Sequence, residues 1–425
     1  MNKNKRAGNY KSATLIIALL LLFSAALSAD EDRYLTFMGR VIDSQSDNPL
    51  VFASVAVEFT NVATVTNLDG EFTLKVPLDQ PSRRLVITHL GYNNRTISLN
   101  ELQTGGYRNI ISLEPAPTML PDVTVTPVSG EDIIEKAIKR IPYNYTSEPN
   151  LMTGFYRETI RRRRSYVAIG EAVVQVFKAP YNSPGRRDGI RIYKGRQSTD
   201  VSRMDTLIFK LQGGPFTSLQ LDVVKNPYSI LDEESMQYYT YTLVTSDMID
   251  DRPHYVIYFQ QKANILSPLF YGRMYVDKES YAISEIDFAL NLTNINEAKE
   301  MLVRRKPFTA DVEPDAALYR VVYREYDGKW YFAYSRAEVS FTVNWRRRIF
   351  NTNFTTMSEL AITDRTTDDV IRFAGRDRVR FTDVFSERVS DFEDPDFWGD
   401  YNVIEPDQTI ERAIERLSRR LRIIN

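Results

Sequence analysis

The sequence predicts a mainly β protein: an N-terminal seven-stranded antiparallel β-sandwich followed by a curved antiparallel sheet with flanking helices. Two observations carry this. Residues 34–114 run as short apolar alternations broken by turn chemistry, and the following half contains long runs rich in Tyr, Phe and Val. A third bears on stability: the 425 residues contain 25 Tyr and 22 Phe but no cysteine, so no disulfide staples the fold and buried core must hold it.

Residues 1–29 read as a signal peptide. Lys3, Lys5, Arg6 and Lys11 form a basic start, Thr14 to Leu27 is an apolar run, and Ala25, Ala26, Ser28 and Ala29 suit a peptidase cutting after Ser28 or Ala29. The other reading of that run is a retained anchor, but it is shorter than the roughly 20 apolar residues that span a bilayer. No transmembrane span is expected after cleavage, and a lipid anchor would need a cysteine. Loss of the segment removes four positive charges and no acids, taking the formal net charge from -2 to -6. Such an acidic balance argues against a nucleic-acid partner, which would call for a basic field.

In the sandwich, FMGRVID and FASVAVEF alternate, and TVTNLDGEFTLKVP reads as a hairpin whose Asp69-Gly70 pair supplies the positive φ angles of a tight turn. LVITHLGYNNRTISL and YRNIISLEP complete about seven strands in about 80 residues. Residues 115–130, with prolines at 115, 117, 121 and 127, read as an extended linker. Residues 131–425 then form a second domain. Its opening helix is capped by Ser129 with Asp132 three residues on, carries Ile134, Ala137, Ile138 and Ile141 on one stripe, and is stopped by Pro142. Strands follow, from RSYVAIGEAVVQVFK through PHYVIYFQQK and GRMYVDKESYAISEIDFALN to ALYRVVYREYDGKWYFAY and RAEVSFTVNW, with turns at Asp277 to Ser280 and at Asp327-Gly328. From about Asp407 a last helix carries Ile410, Ala413, Ile414, Leu417 and Leu421 on one side and five arginines opposite, and docking onto the domain is expected for it ahead of membrane-surface binding.

Taken in order, GRVID, PLVFASVAV, TNLDGEFTLKVP and ITHLGYNNRTISL resemble the carboxypeptidase regulatory-like domain of Bacteroidetes envelope proteins, which implies a transthyretin/prealbumin-like sandwich and an exported, Gram-negative setting. The resemblance covers about a fifth of the chain, and His89 departs from it where an aromatic is usual. In that group the module often precedes an outer-membrane receptor barrel. About 300 residues remain here, too few for a plug and a 22-strand barrel of roughly ten residues per strand. GFYRE, YVAIGEAVVQVFK and FWGDYNVIEP resemble the uncharacterised domain that often follows the module, for which no catalytic residue is established. GRMYVDKESYAISEIDFAL with DGKWYFAY also resembles the half-open barrels of periplasmic lipoprotein carriers, in which a curved sheet wraps a helix and holds acyl chains.

Candidate chemistry is sparse. A zinc hydrolase needs three ligands, commonly with paired histidines, whereas His89 and His254 fall in different domains with no HExxH spacing. No GxSxG elbow and no cysteine nucleophile are present. Asp391, Glu393, Asp394 and Asp396 read as a solvated acidic loop before a glycosidase pair or a calcium site. The runs Arg161 to Arg164 and Arg346 to Arg348 read as strand-edge covers, with anionic headgroups as the sharper alternative. No enzyme activity and no cofactor or metal are expected, a hydrolase being the remote alternative. Aromatic side chains are the main working material. Tyr255, Tyr258, Phe259, Tyr275, Phe288, Tyr319, Tyr323, Trp330 and Phe332 are the candidate lining of a concave pocket for a lipid, acyl or glycan ligand, with ordinary core as the competing role. The expected protein is a non-enzymatic binder in the periplasm or at the outer-membrane periphery. Its alternative is a module docking an outer-membrane protein partner by strand addition.

Overall fold

A computed structural model of the chain describes residues 34–404 except 52, 59, 61, 79–81, 90–91, 105, 107, 116–128, 164, 184–185, 200–213, 227–229, 232, 250–251, 304–309, 347–349, 392–397 and 399–400. The signal segment, all but the ends of the linker, the acidic loop after Asp391 and the C-terminal helix therefore lie outside the described residues.

Seven strands build the N-terminal unit: β1 (Tyr34–Asp43), β2 (Ser54–Val57), β3 (Ala63–Val65), β4 (Glu71–Pro77), β5 (Arg84–Thr88), β6 (Arg95–Ser98) and β7 (Arg108–Leu113). They form two sheets, β4-β1-β7 and β3-β2-β5-β6. Alternation explains the packing. Along β1 every second residue from Phe37 is buried, and Phe37 and Val41 meet Phe72, Leu74, Val55, Leu85 and Ile87 between the sheets. One pair departs from the antiparallel expectation: β1 and β7 run parallel, with Met38 opposite Arg108 and Asp43 opposite Leu113.

The expected hairpin at TNLDGEFTL is instead a crossover, because β3 and β4 belong to different sheets. A two-residue type I′ turn needs positive φ at both central residues, and here Gly70 has φ +75° while Asp69 does not share the left-handed region. The corner is shaped by side chains. Asn67 Oδ1 accepts from the amides of Asp69 (2.9 Å) and Glu71 (2.8 Å), and Thr66 donates to the Leu50 carbonyl (2.6 Å), so the chain is turned out of one sheet into the other.

Helix α1 (Gly130–Asn144) opens with the expected reciprocal cap: Ser129 Oγ accepts from the Asp132 amide (3.0 Å) and Asp132 Oδ2 from the Ser129 amide (3.3 Å). Pro142 does not stop it. The proline sits in the last turn, where its fixed φ fits the helix, and the Tyr145 amide still reaches the Ile141 carbonyl at 3.1 Å.

The remaining elements are β8 (Asn150–Arg162), β9 (Ser165–Lys178), β10 (Gly189–Thr199), α2 (Pro215–Gln220), α3 (Glu233–Met236), β11 (Tyr239–Ile249), β12 (Arg252–Gln261), β13 (Phe270–Asp277), β14 (Ile283–Leu290), α4 (Ile295–Leu302), β15 (Ala310–Tyr326), β16 (Lys329–Trp345), β17 (Thr352–Thr366) and β18 (Ser390–Asp391). They make one eleven-stranded sheet in the order β11-β12-β13-β14-β15-β16-β17-β8-β9-β10-β18, antiparallel throughout except for the two-residue β18 beside β10. Register shifts interrupt six of its pairings, for example at Leu243/Thr245, Pro314/Ala316 and Ile362/Asp364. Extra residues on one strand bend it and increase its twist, which curves the sheet. Its concave face holds Ile133, Ile134 and Ala137 of α1, Leu219 of α2 and Phe385 against Tyr156, Val174, Phe259 and Ile286.

The Arg161 and Arg346 regions lie in or beside β8 and β16, which are interior strands, so edge protection is not their role. Beyond β18, the described residues 401–404 form a strap held against the sandwich. Asn402 Oδ1 accepts from the Lys75 amide (2.7 Å), its Nδ2 donates to the Lys75 carbonyl (3.1 Å), and Thr64 donates to the Val403 carbonyl (3.3 Å). Val65, Phe155, Tyr334, Ala361 and Ile404 pack together beneath it.

Candidate functional site

The nine aromatic residues expected to share one concavity divide between two faces. Tyr255, Phe259, Phe288, Tyr319, Tyr323, Trp330 and Phe332 belong to the core on the concave face, packed with α1 and its neighbours. Tyr258 and Tyr275 fall on the opposite face, because adjacent strand residues alternate and both sit next to core residues, Ile257 and Met274. Several of the seven are locked into one another. Phe288 and Tyr319 stack with centroids 5.0 Å apart, and Tyr323 meets Phe332 edge-on at 6.3 Å. Tyr323 also donates to Asp222 Oδ1 (2.8 Å) and accepts from the Val224 amide (3.2 Å), which commits its hydroxyl to the interior.

Of the nine, Phe332 also borders an open cleft between the sandwich and the sheet. This cleft of about 900 Å³ is walled on one side by Glu58, Thr60, Val86 and Asn94 and on the other by the β15–β16 hairpin and the end of β17. That hairpin forms for the reason legible in its sequence: Asp327 (φ +49°) and Gly328 (φ +72°) both take the left-handed conformation a type I′ turn requires. It sets the half-buried rings of Tyr326 and Tyr331 on the cleft wall, with the Arg365 guanidinium 4.9 Å from the first centroid and 3.8 Å from the second. Carboxylates of Glu325, Asp327 and Asp364 and the guanidinium of Arg324 complete that wall. Asn94, opposite, has a buried side-chain oxygen with no hydrogen-bond partner among the described residues. None of Tyr326, Tyr331 and Arg365 was singled out from sequence. The one signal available was the Tyr pair flanking Asp327-Gly328.

Two buried charge networks flank these regions. On the convex face Arg157, almost fully buried, reaches Glu171 (2.9 Å from Nε) and Glu359 (3.4 Å from Nη1), while Arg196 and Arg336 approach the same carboxylates from outside. On the concave side the Lys178 ammonium lies between Asp188 and Asp222, and Tyr181 donates to Asp222 at 2.7 Å. Burial pulls the Lys178 ammonium toward deprotonation, but the two carboxylates outweigh it and hold its pKa above the ordinary lysine value. Glu158 differs: burial, only partly offset by the Tyr156 hydroxyl at 2.7 Å, pushes its carboxyl up to about 7.

The histidines do not converge. His89 lies just past β5 with Nε2 3.1 Å from the Val51 carbonyl, and His254 is fully buried in β12 with Nδ1 2.8 Å from the Arg252 carbonyl. His254 stands between Asp247 and Asp277 in register, and Asp277 is engaged by Arg252 (2.9 Å) and Ser280 (2.6 Å). Among the described residues, no group of three or more His, Asp or Glu side chains is placed to hold a metal ion, and no helix is long and apolar enough to cross a membrane.

No curated protein matches the chain. Among solved structures it is similar to a DUF1329 family protein from Desulfovibrio piger, with 12% identity over 57% of this chain and 93% of that one and a TM-score of 0.24. It is also similar to lipovitellin, in a structure concerned with lipid–protein interactions, with 7% identity over 56% of this chain and 28% of that one and a TM-score of 0.26. At such scores neither likeness bears on fold or ligand. Residues 37–125, spanning the sandwich from β1 onward, match the family model of the CarboxypepD_reg-like domain.

Proposed function

We propose that this chain is a non-catalytic binding protein of the bacterial cell envelope that seats a glycan in the cleft between its sandwich and its sheet. The supporting observation is the lining of that cleft. Two half-buried tyrosine rings flanked by carboxylates, guanidiniums and the unsatisfied Asn94 oxygen offer faces for sugar rings and polar groups for their hydroxyls. An acyl chain would offer the polar groups of that lining no hydrogen bonds in exchange for water, which disfavours the lipid alternative. Native mass spectrometry of the protein purified from its own envelope tests this. Carbohydrate mass increments support it, and exclusively lipid adducts count against it.

A second reading, docking of another envelope protein by strand addition, draws on β7, an edge strand that presents Ile110 with 72% of its surface exposed. Crosslinking in cells that recovers no membrane partner through that edge counts against it.

A further inference from the structure

A second cavity, of about 540 Å³, lies at the start of β10 beside α2 and shares no residue with the interdomain cleft. Its charge is one-sided: Arg186, Arg187, Arg378, Arg380 and Lys225 line it, and Asp188 is the one carboxylate among its walls. Opposite charges nearby would ordinarily quench such a group of cations. Here each available carboxylate is already engaged. Asp188 takes the Lys178 ammonium on one oxygen and the Ala179 amide (2.9 Å) on the other. Asp383 accepts from the Arg388 guanidinium (2.7 Å) and the Arg380 amide (3.0 Å), leaving the Arg380 side chain out of the pair. Among the described residues none of the four arginines forms an ion pair.

The walls are fixed. Lys225 donates to the carbonyls of Pro180 and Ser183, tying α2's following turn to the loop that carries Arg186 and Arg187. Burial pulls the Lys225 ammonium below the ordinary lysine pKa, with the Lys178 charge adding to it and Asp188 and Asp222 opposing it. Arg378 is half-buried and crosses the first residue of β10, where Gly189 leaves room: a Cβ there would stand 3.3 Å from Arg378 Cδ. Rings of Phe216 and Phe381 complete the cavity with apolar surface.

We propose that this cavity is an anion site that takes a phosphoryl group carried on a larger molecule. Guanidiniums bind phosphate oxygens in bidentate fashion, and their planar forks match that geometry better than ammonium groups do. The volume exceeds what one phosphate fills, and the two rings provide a surface for whatever carries it. The group could arrive on a soluble phosphate compound or on a lipid headgroup, and the two sources are separable.

Calorimetric titration of the whole chain with inorganic phosphate and with pyrophosphate at low ionic strength forms one arm. Sedimentation with vesicles of phosphatidylglycerol in phosphatidylcholine, against phosphatidylcholine alone, forms the other. The variants are Arg378→Ala, Arg378→Lys and the surface double change Arg186→Ala with Arg187→Ala, each checked for an unchanged melting curve. Binding is expected to be saturable, to weaken about tenfold or more in each alanine variant, and to weaken less in Arg378→Lys. Phosphate binding without sedimentation assigns a soluble ligand, and sedimentation with the anionic vesicles that the alanine variants lose assigns a headgroup. Absence of binding in both arms, or binding that the exposed double variant leaves unchanged, overturns the proposal. Neither result touches the glycan cleft, which is read by a different assay on different residues.

Discussion

Arg157 donates through Nη2 to the backbone carbonyl of Ile404, 2.6 Å away and 247 residues further along the chain. The same guanidinium holds Glu171 and Glu359 on the strands either side of it, so one buried cation joins three neighbouring sheet strands to the strap that grips the sandwich. Replacing Arg157 with Met would leave two buried carboxylates with only Arg196 and Arg336 to offset them, and a loss of about 3–5 kcal/mol is expected from breaking such a pair. Urea denaturation of the purified variant measures it. A loss below that of an ordinary surface substitution would show the network to be dispensable.

Asn402→Ala separates strap from sandwich more gently. It removes both hydrogen bonds to the Lys75 backbone and should cost about 1–2 kcal/mol. Hydrogen exchange at the Lys75 amide should accelerate while that of β8 and β17 stays unchanged.

Glu158 makes stability depend on pH in a defined direction. Its folded pKa of about 7 lies above the ordinary value of 4.5, so the folded state holds the proton more tightly than the unfolded chain does. Stability contributed by this group is therefore greatest below the unfolded pKa and falls as pH rises through 4.5 to about 7. Glu158→Gln keeps an acceptor for the Tyr156 hydroxyl and removes the charge. It should stabilise by about 2 kcal/mol at pH 8 and have almost no effect at pH 4, as read by thermal unfolding at the two pH values.

The two Asp-Gly corners should respond unequally to alanine. At Gly328 an added Cβ meets nothing within 4 Å, so Gly328→Ala should carry only the left-handed backbone cost of about 1–2 kcal/mol. At Gly70 the added Cβ would lie 2.6 Å from the Val41 carbonyl oxygen, so Gly70→Ala should cost more. Chemical denaturation of the pair ranks them, and equal losses would mean the sheet crossover relaxes freely.

These corners also show what was legible in the sequence. Asp327-Gly328 joins two long alternating runs that pair with each other, and local turn chemistry sufficed to place it. Asp69-Gly70 has the same two residues but joins strands of different sheets, a choice made by Asn67, Thr66 and the packing of Val65 against the larger sheet. The Ser129 cap of α1 was equally local and equally readable, whereas the passage of α1 through Pro142 depended on the Tyr145 contacts beyond it. The site was less legible. Aromatic richness pointed to rings such as Phe259 and Phe288, but composition does not distinguish a ring sealed in the core from one left facing a second domain. The cleft lies between the sandwich and the sheet, which are tied by contacts spanning more than 300 residues, such as Lys75 with Asn402. Nor did the arginines of the anion cavity form a run. They come from two loops, around residues 186 and 379, that the sheet brings together.

The glycan cleft is best tested by probing a printed glycan array with the whole chain and with its Tyr331→Ala variant. Loss of that ring removes one stacking face and the 3.8 Å contact that supports Arg365, and because Tyr331 also packs against the core, an unchanged melting curve is required of the variant. Saturable binding to at least one glycan class that falls to background in the variant is the predicted result. Retention of no glycan by the wild-type chain, or equal retention by both, would contradict it.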